Sequence, residues 1–146
     1  MAEPPEPKSY GDNQWIQMEI TNRMRKSDIH VKNAYINYGK FYKDVKDKEI
    51  SADEVNRTSI APGAMAKVNA CGRYMSPSGT DGSIDLYEGD TKICKLSWNC
   101  PYGSSSNSFG LSDYDVGTSD YSVNVSDWGV GPGPIGRVSI TVARLA

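Results

Sequence analysis

Two stretches of the chain alternate apolar and polar residues strictly enough to assign strands. Val138, Ile140 and Val142 interleave with Ser139, Thr141 and Ala143, and Ile16, Met18 and Ile20 interleave with Gln17, Glu19 and Thr21. A period of two puts each apolar trio on one face of a half-buried strand. In the second stretch it also puts Trp15 on the polar face, where an indole calls for a reason. Less regular patterns predict further strands over residues 29–38, 64–70, 83–87, 92–98 and 121–125. Turn signals separate them: Ala61-Pro62-Gly63, Gly79-Thr80-Asp81-Gly82, Pro101-Tyr102-Gly103, and the glycine- and proline-rich residues 129–134. Residues 84–96, with Glu88-Gly89-Asp90 at their centre, read as a hairpin. Ser51-Ala52-Asp53-Glu54 caps a single helical turn over residues 51–55. Short strands punctuated by regular turns predict an all-β domain, a sandwich or a barrel.

A chain of 146 residues fits one domain with a real core. Its 14 Gly, 8 Pro, 9 Tyr and 3 Trp agree with strands joined by many turns. The formal net charge is −2 and no basic patch stands out, which argues against a nucleic-acid partner. Residues 40–49 alternate in sign and read as a solvated loop or turn. No run of 18 apolar residues exists to span a bilayer as a helix. Residues 1–13 read as a flexible polar arm ahead of a single domain over residues 14–146. The arm lacks the apolar stretch of a classical secretory signal, so the expectation is cytoplasmic synthesis and non-classical release. Cys71, Cys94 and Cys100 are odd in number and lack paired CxxC spacing, which argues against zinc. Synthesis in a reducing compartment would leave them free, while a Cys71–Cys100 or Cys94–Cys100 bridge is also compatible with the sequence.

Catalysis has little to build on. The one histidine, His30, lies inside a predicted strand, and no nucleophile-elbow motif accompanies it. Asp113 with Asp115, or Asp81 with Asp85, would have to serve any carboxylate-pair chemistry. No P-loop, dinucleotide fingerprint or EF-hand spacing is present, and no cofactor is implied. The expectation is a binding module, not an enzyme. Leu86, Ile93, Leu96 and Phe109 are assigned to the core. Trp15, Tyr38, Tyr102 and Trp128 instead sit beside turns and polar residues. Trp and Tyr combine an apolar body with a polar edge, which suits a bilayer headgroup zone or the face of a sugar.

Several motifs resemble those of the aegerolysins. Residues 33–44, Asn-Ala-Tyr-Ile-Asn-Tyr-Gly-Lys-Phe-Tyr-Lys-Asp, are similar to a family segment with Ser-Trp-Gly-Lys at its centre. Asn69-Ala70-Cys71-Gly72-Arg73 resembles the family's Asn-x-Cys-Gly-Arg element, and residues 77–87 follow at the expected distance. Trp98-Asn99-Cys100-Pro101-Tyr102-Gly103-Ser104 resembles Trp-Asp-Cys-Pro-Trp-Gly-Ser, and Gln14-Trp15 matches an early Gln-Trp pair. The resemblance implies a β-sandwich of two antiparallel sheets that recognises membrane sphingolipid. It further implies that the chain acts as the docking half of a two-component cytolytic, in some members insecticidal, toxin whose larger half is a perforin-like (MACPF) pore-former. The lipid-facing candidates carried over are Trp15, Tyr38 and Tyr102, with Ser78 and Asp81 near the headgroup. Tyr38 and Tyr102 stand where relatives often have Trp, and Ser78 where members selective for sphingomyelin–cholesterol often have Glu. The expected ligand is therefore an invertebrate sphingolipid such as ceramide phosphoethanolamine, bound by a monomer or weak homo-oligomer. The rival expectation is a carbohydrate-binding sandwich, a lectin without pore activity.

Overall fold

A computed structural model describes residues 11–103 and 105–145. The arm expected over residues 1–13 lies mostly outside them. Its last three residues, Gly11–Asn13, form one 3-10 turn with Gly11 buried. Eleven strands follow: β1 (Trp15–Asn22), β2 (Ile29–Tyr38), β3 (Lys40–Lys43), β4 (Val45–Ile50), β5 (Ser59–Ile60), β6 (Met65–Cys71), β7 (Thr80–Glu88), β8 (Thr91–Cys100), β9 (Ser108–Ser112), β10 (Tyr121–Val125) and β11 (Gly136–Arg144). A single helical turn, α1 (Ala52–Val55), is capped by Ser51, whose side chain accepts from the Glu54 N–H.

The strands form a six-stranded sheet ordered β10-β11-β1-β6-β3-β4 and a five-stranded sheet ordered β5-β2-β7-β8-β9. One pair departs from the antiparallel pattern: β1 and β11, the two cleanest alternating segments, lie side by side in parallel, Met18 opposite Val138 and Ile20 opposite Ile140. Parallel neighbours need a crossover, and here nearly the whole chain between them supplies it. Ile16, Met18 and Ile20 with Val138, Ile140 and Val142 are fully buried and face Val31, Ile84, Leu86, Leu96 and Trp98 of the other sheet's strands. Trp98 meets Phe41 edge-on, with centroids 5.9 Å apart at 71°, and its indole N–H donates to the Thr80 hydroxyl at 3.1 Å. Phe109, assigned to the core, is half-buried and packs against Trp128.

Residues 40–49 are not a loop. They form most of the β3–β4 hairpin, and β4 is the outer edge of the six-stranded sheet. The alternating charges follow from that position, because charged side chains along an unpaired edge discourage pairing with another chain. Only Phe41 and Tyr42 of the hairpin are buried.

Cys71, Cys94 and Cys100 are buried and unbridged. Burial pushes their thiols up to about 11, 12 and 11 respectively. The thiolate is the reactive form, so native protein at neutral pH is expected to react with a thiol reagent at least tenfold more slowly than denatured protein. A thiol that titrates rapidly in the native state would contradict this packing.

Candidate functional site

One end of the sandwich collects the loops that carry the candidate residues. β1 and β11 start there, β6 and β8 finish there, and β2 turns into β3 there. This follows from the registers, which pair Trp15 with Cys71, Ile16 with Gly136, Lys40 with Cys71, Tyr38 with Asp81 and Thr80 with Cys100. The segments 72–79, 101–103, 105–107 and 126–135 cap this pole. Their seating is dense. A Cβ on Gly72 would lie 2.2 Å from the Gly11 carbonyl oxygen, and one on Gly79 would lie 1.8 Å from that of Cys100. The Gln14 amide donates to the Pro101 and Gly133 carbonyls, and Asn107 donates to those of Gly129 and Gly133, each at 2.9 Å. Arg73 closes the 72–79 loop onto β4 through a two-pronged pair with Glu49 at 2.8 and 2.9 Å. That hydrogen-bonded contact holds the Glu49 carboxyl below its ordinary range.

The rigid frame displays an apolar tip. Tyr38, Tyr74, Met75 and Val130 are 53, 61, 66 and 63% exposed at this pole. Met75 takes a left-handed φ of 66°, an uncommon conformation for a residue with a side chain. Such strain persists only where the surroundings over-determine it, and here the flanking contacts of Gly72 and Gly79 do so. Beside the tip, on the outer face of the five-stranded sheet, runs a groove of about 380 Å³ lined by Tyr35, Asp81, Ser83, Ser97, Asn99 and Ser108. Asp81 is half-buried, and its carboxylate makes no hydrogen bond or ion pair with the described residues. Its carboxyl is raised above the ordinary aspartate value by desolvation alone.

The family model of the aegerolysins matches residues 13–145. The chain belongs to the aegerolysin family. Asp-hemolysin of Aspergillus fumigatus is 42% identical over 97 residues, 66% of this chain and 70% of that protein. The crystal structure of IP-1A from Alcaligenes faecalis is similar with a TM-score of 0.83 and 34% identity, covering 97% of this chain and 99% of that one. That of RahU in complex with Tris also has a TM-score of 0.83, at 31% identity, covering 92% and 98%. Membership of the family carries a membrane-lipid-binding role.

The five site residues expected for this aegerolysin gather at the pole but do not share one face. Tyr38 and Asp81 are register partners on the outer face of the five-stranded sheet. Ser78 and Tyr102 sit half-buried in the capping loops, the Ser78 hydroxyl 2.9 Å from that of Ser76. Trp15 lies on the opposite flank, half-buried, with the Lys46 ammonium 5.8 Å from its ring centre. The indole on the polar side of β1 is thus covered by the β3–β4 hairpin, in a cation–π contact. Sequence reasoning missed Tyr74 and Met75. The available signal was a Tyr-Met pair inside a glycine-, serine- and proline-rich turn, where a core position is hard to reach. One member of each carboxylate pair considered for catalysis is committed elsewhere: Asp85 accepts from Asn33 at 2.8 Å and pairs with Lys92, which also binds Asp113 at 2.6 Å.

Proposed function

We propose that this aegerolysin docks its loop pole onto membranes displaying a sphingolipid with a primary-ammonium head, ceramide phosphoethanolamine or a close analogue. Docked there, it recruits a perforin-like partner to open a two-component cytolytic, insecticidal pore. The observation that carries the lipid choice is Asp81. A partly desolvated carboxylate without a counter-ion among the described residues, flanked by the exposed Tyr38 ring, favours a cation that can also donate hydrogen bonds. An ethanolamine head offers three N–H donors, whereas the trimethylammonium of choline offers none and is better met by an aromatic cage. The apolar tip supplies affinity: about 25 cal/mol per Å² makes one inserted side chain worth on the order of 1–2 kcal/mol, roughly tenfold in binding.

The partner is needed because the described residues hold no spare hairpin. β7 and β8 alternate over 9 and 10 residues, long enough to span as strands, yet their apolar face closes the core over Trp98. Turning that face to lipid would open the sandwich.

Co-sedimentation with vesicles of phosphatidylcholine, sphingomyelin–cholesterol and ceramide phosphoethanolamine–cholesterol tests the reading. Pelleting is expected with the last, weakened about tenfold by Met75→Ser and less by Trp15→Ala, since Trp15 lies beneath Lys46. Preference for sphingomyelin would overturn the lipid assignment, and dye release by the pure protein would overturn the need for a partner. Failure to pellet with any lipid would leave the carbohydrate reading, with the sheet groove as its site.

A further inference from the structure

The pole opposite the loops has the reverse character. β1 and β11 end there and β7 turns into β8, about 25 Å away at 3.3 Å per residue. A pocket of about 650 Å³ opens between the β1–β2 connection and the end of β11, lined by Arg23, Arg25, Lys26 and Arg144 over the buried Met24, with Glu88 its only carboxylate among the described residues. Glu88 is already engaged. Hydrogen bonds from Tyr121 and Ser27, and the adjoining Arg144, hold it below the ordinary carboxylate range. Arg23, Arg25 and Lys26 have no side-chain partner among the described residues. Asp28, the nearest acid along the chain, lies within reach of the Ser59 hydroxyl.

The loop that carries these cations is fixed in place. Asn22 is fully buried, and its amide donates to the carbonyls of Ser27 and Ile60 while its oxygen accepts from the Met24 N–H, all at 2.8 Å. Three cations within four residues repel one another. A chain of net charge −2 that nevertheless holds them on a rigid loop, beside a fourth, concentrates positive potential at one spot. Arginine guanidinium groups pair well with carboxylates, and Arg144 pairs with one here, that of Glu88.

We propose that this pocket is the docking surface for an acidic segment of the protein that the membrane-bound chain recruits. The assignment rests on the recruitment half of the proposed function. When the loop pole is seated on lipid, the basic pole faces away from the membrane, toward a soluble partner. Carboxylates of that partner enter between Arg23, Arg25 and Lys26.

The test is fluorescence anisotropy of a labelled octaglutamate peptide with the full chain at low ionic strength, beside vesicle co-sedimentation of the same samples. Saturable peptide binding is expected, weakened at least tenfold in the double variant Arg25→Glu, Lys26→Glu and suppressed as salt screens the charges. The variant should pellet with ceramide phosphoethanolamine–cholesterol vesicles like the wild type. Equal peptide binding by variant and wild type would overturn the proposal. So would saturable binding of tripolyphosphate without any of the peptide, which marks a small-phosphate site. Pelleting with phosphatidylserine vesicles that requires Arg25 and Lys26 would overturn it too, marking a second membrane face. If the wild type binds the peptide but no vesicle, lipid docking falls and the carboxylate site stands.

Discussion

Asp81→Asn is expected to weaken binding to ceramide phosphoethanolamine–cholesterol vesicles about tenfold or more, and to leave the fold at least as stable as before. A hydrogen bond to a charged group is worth about 1.5–3 kcal/mol, or roughly 10- to 100-fold in affinity. Asparagine keeps the shape and an acceptor oxygen but loses the charge that an ammonium head would meet. Stability should move the other way. Burial raises the Asp81 carboxyl, so the folded state disfavours its ionised form, and stability is lost as pH rises from the ordinary aspartate value through the raised one. At neutral pH that cost is present in the wild type and absent in the amide. Binding has the opposite dependence, because it needs the carboxylate. It should fade as pH falls through the raised value, earlier than an ordinary aspartate would allow, and Asp81→Asn should abolish that dependence. Co-sedimentation across weakly acidic pH, with denaturant unfolding of both proteins, checks both signs. An unchanged affinity would remove Asp81 from the headgroup site.

The elements that carry the fold were legible because their periodicity was strong. The alternation in β1 and β11 marked both strands and the face each buries, and Glu88-Gly89-Asp90 marked the hairpin between β7 and β8. Their parallel pairing was not legible, since alternation states which face is buried and nothing about the neighbour. β4 was misread for a related reason. An edge strand that touches the core only through its last residue, Ile50, shows no apolar alternation, so its charges look like those of a loop. β9 escaped because its Phe109 and Leu111 are separated by Gly110 and flanked by serines after a serine-rich tract.

The candidate site was legible mainly through the family motifs, and the structure gives most of their residues a supporting task. In Gln14-Trp15, the glutamine clamps two loops. In Asn69-Ala70-Cys71-Gly72-Arg73, Gly72 packs on Gly11 and Arg73 grips Glu49. In Trp98-Asn99-Cys100-Pro101-Tyr102, the tryptophan fills the core and the Pro101 carbonyl receives Gln14. These residues fix where the pole's loops run. Tyr74 and Met75, two of the exposed apolar side chains at the pole, lie between the motifs, because a side chain that meets a fluid bilayer needs apolar area more than a particular shape.

That division makes Gly79→Ala the sharpest probe of the pole. The backbone there is outside the left-handed region, so alanine meets an obstacle of space alone: its Cβ would fall 1.8 Å from the Cys100 oxygen and 3.0 Å from the Pro101 carbonyl carbon. Both are backbone atoms at the end of β8, tied through Pro101 to Gln14, and cannot rotate aside. Such overpacking costs about 1–3 kcal/mol, a large share of the roughly 5–15 kcal/mol that holds a domain folded. The strain has one cheap outlet, displacement of the 72–79 loop, which carries Tyr74, Met75 and Ser78 together. Gly79→Ala is therefore expected to lower the denaturation midpoint and to reduce vesicle pelleting by more than Met75→Ser, which should leave the midpoint unchanged. The two variants separate the seat of the loop from the tip it presents. If Gly79→Ala unfolds more easily yet pellets like the wild type, the lipid contact does not depend on how this loop is held, and Tyr38 and Tyr102 must carry it without the loop.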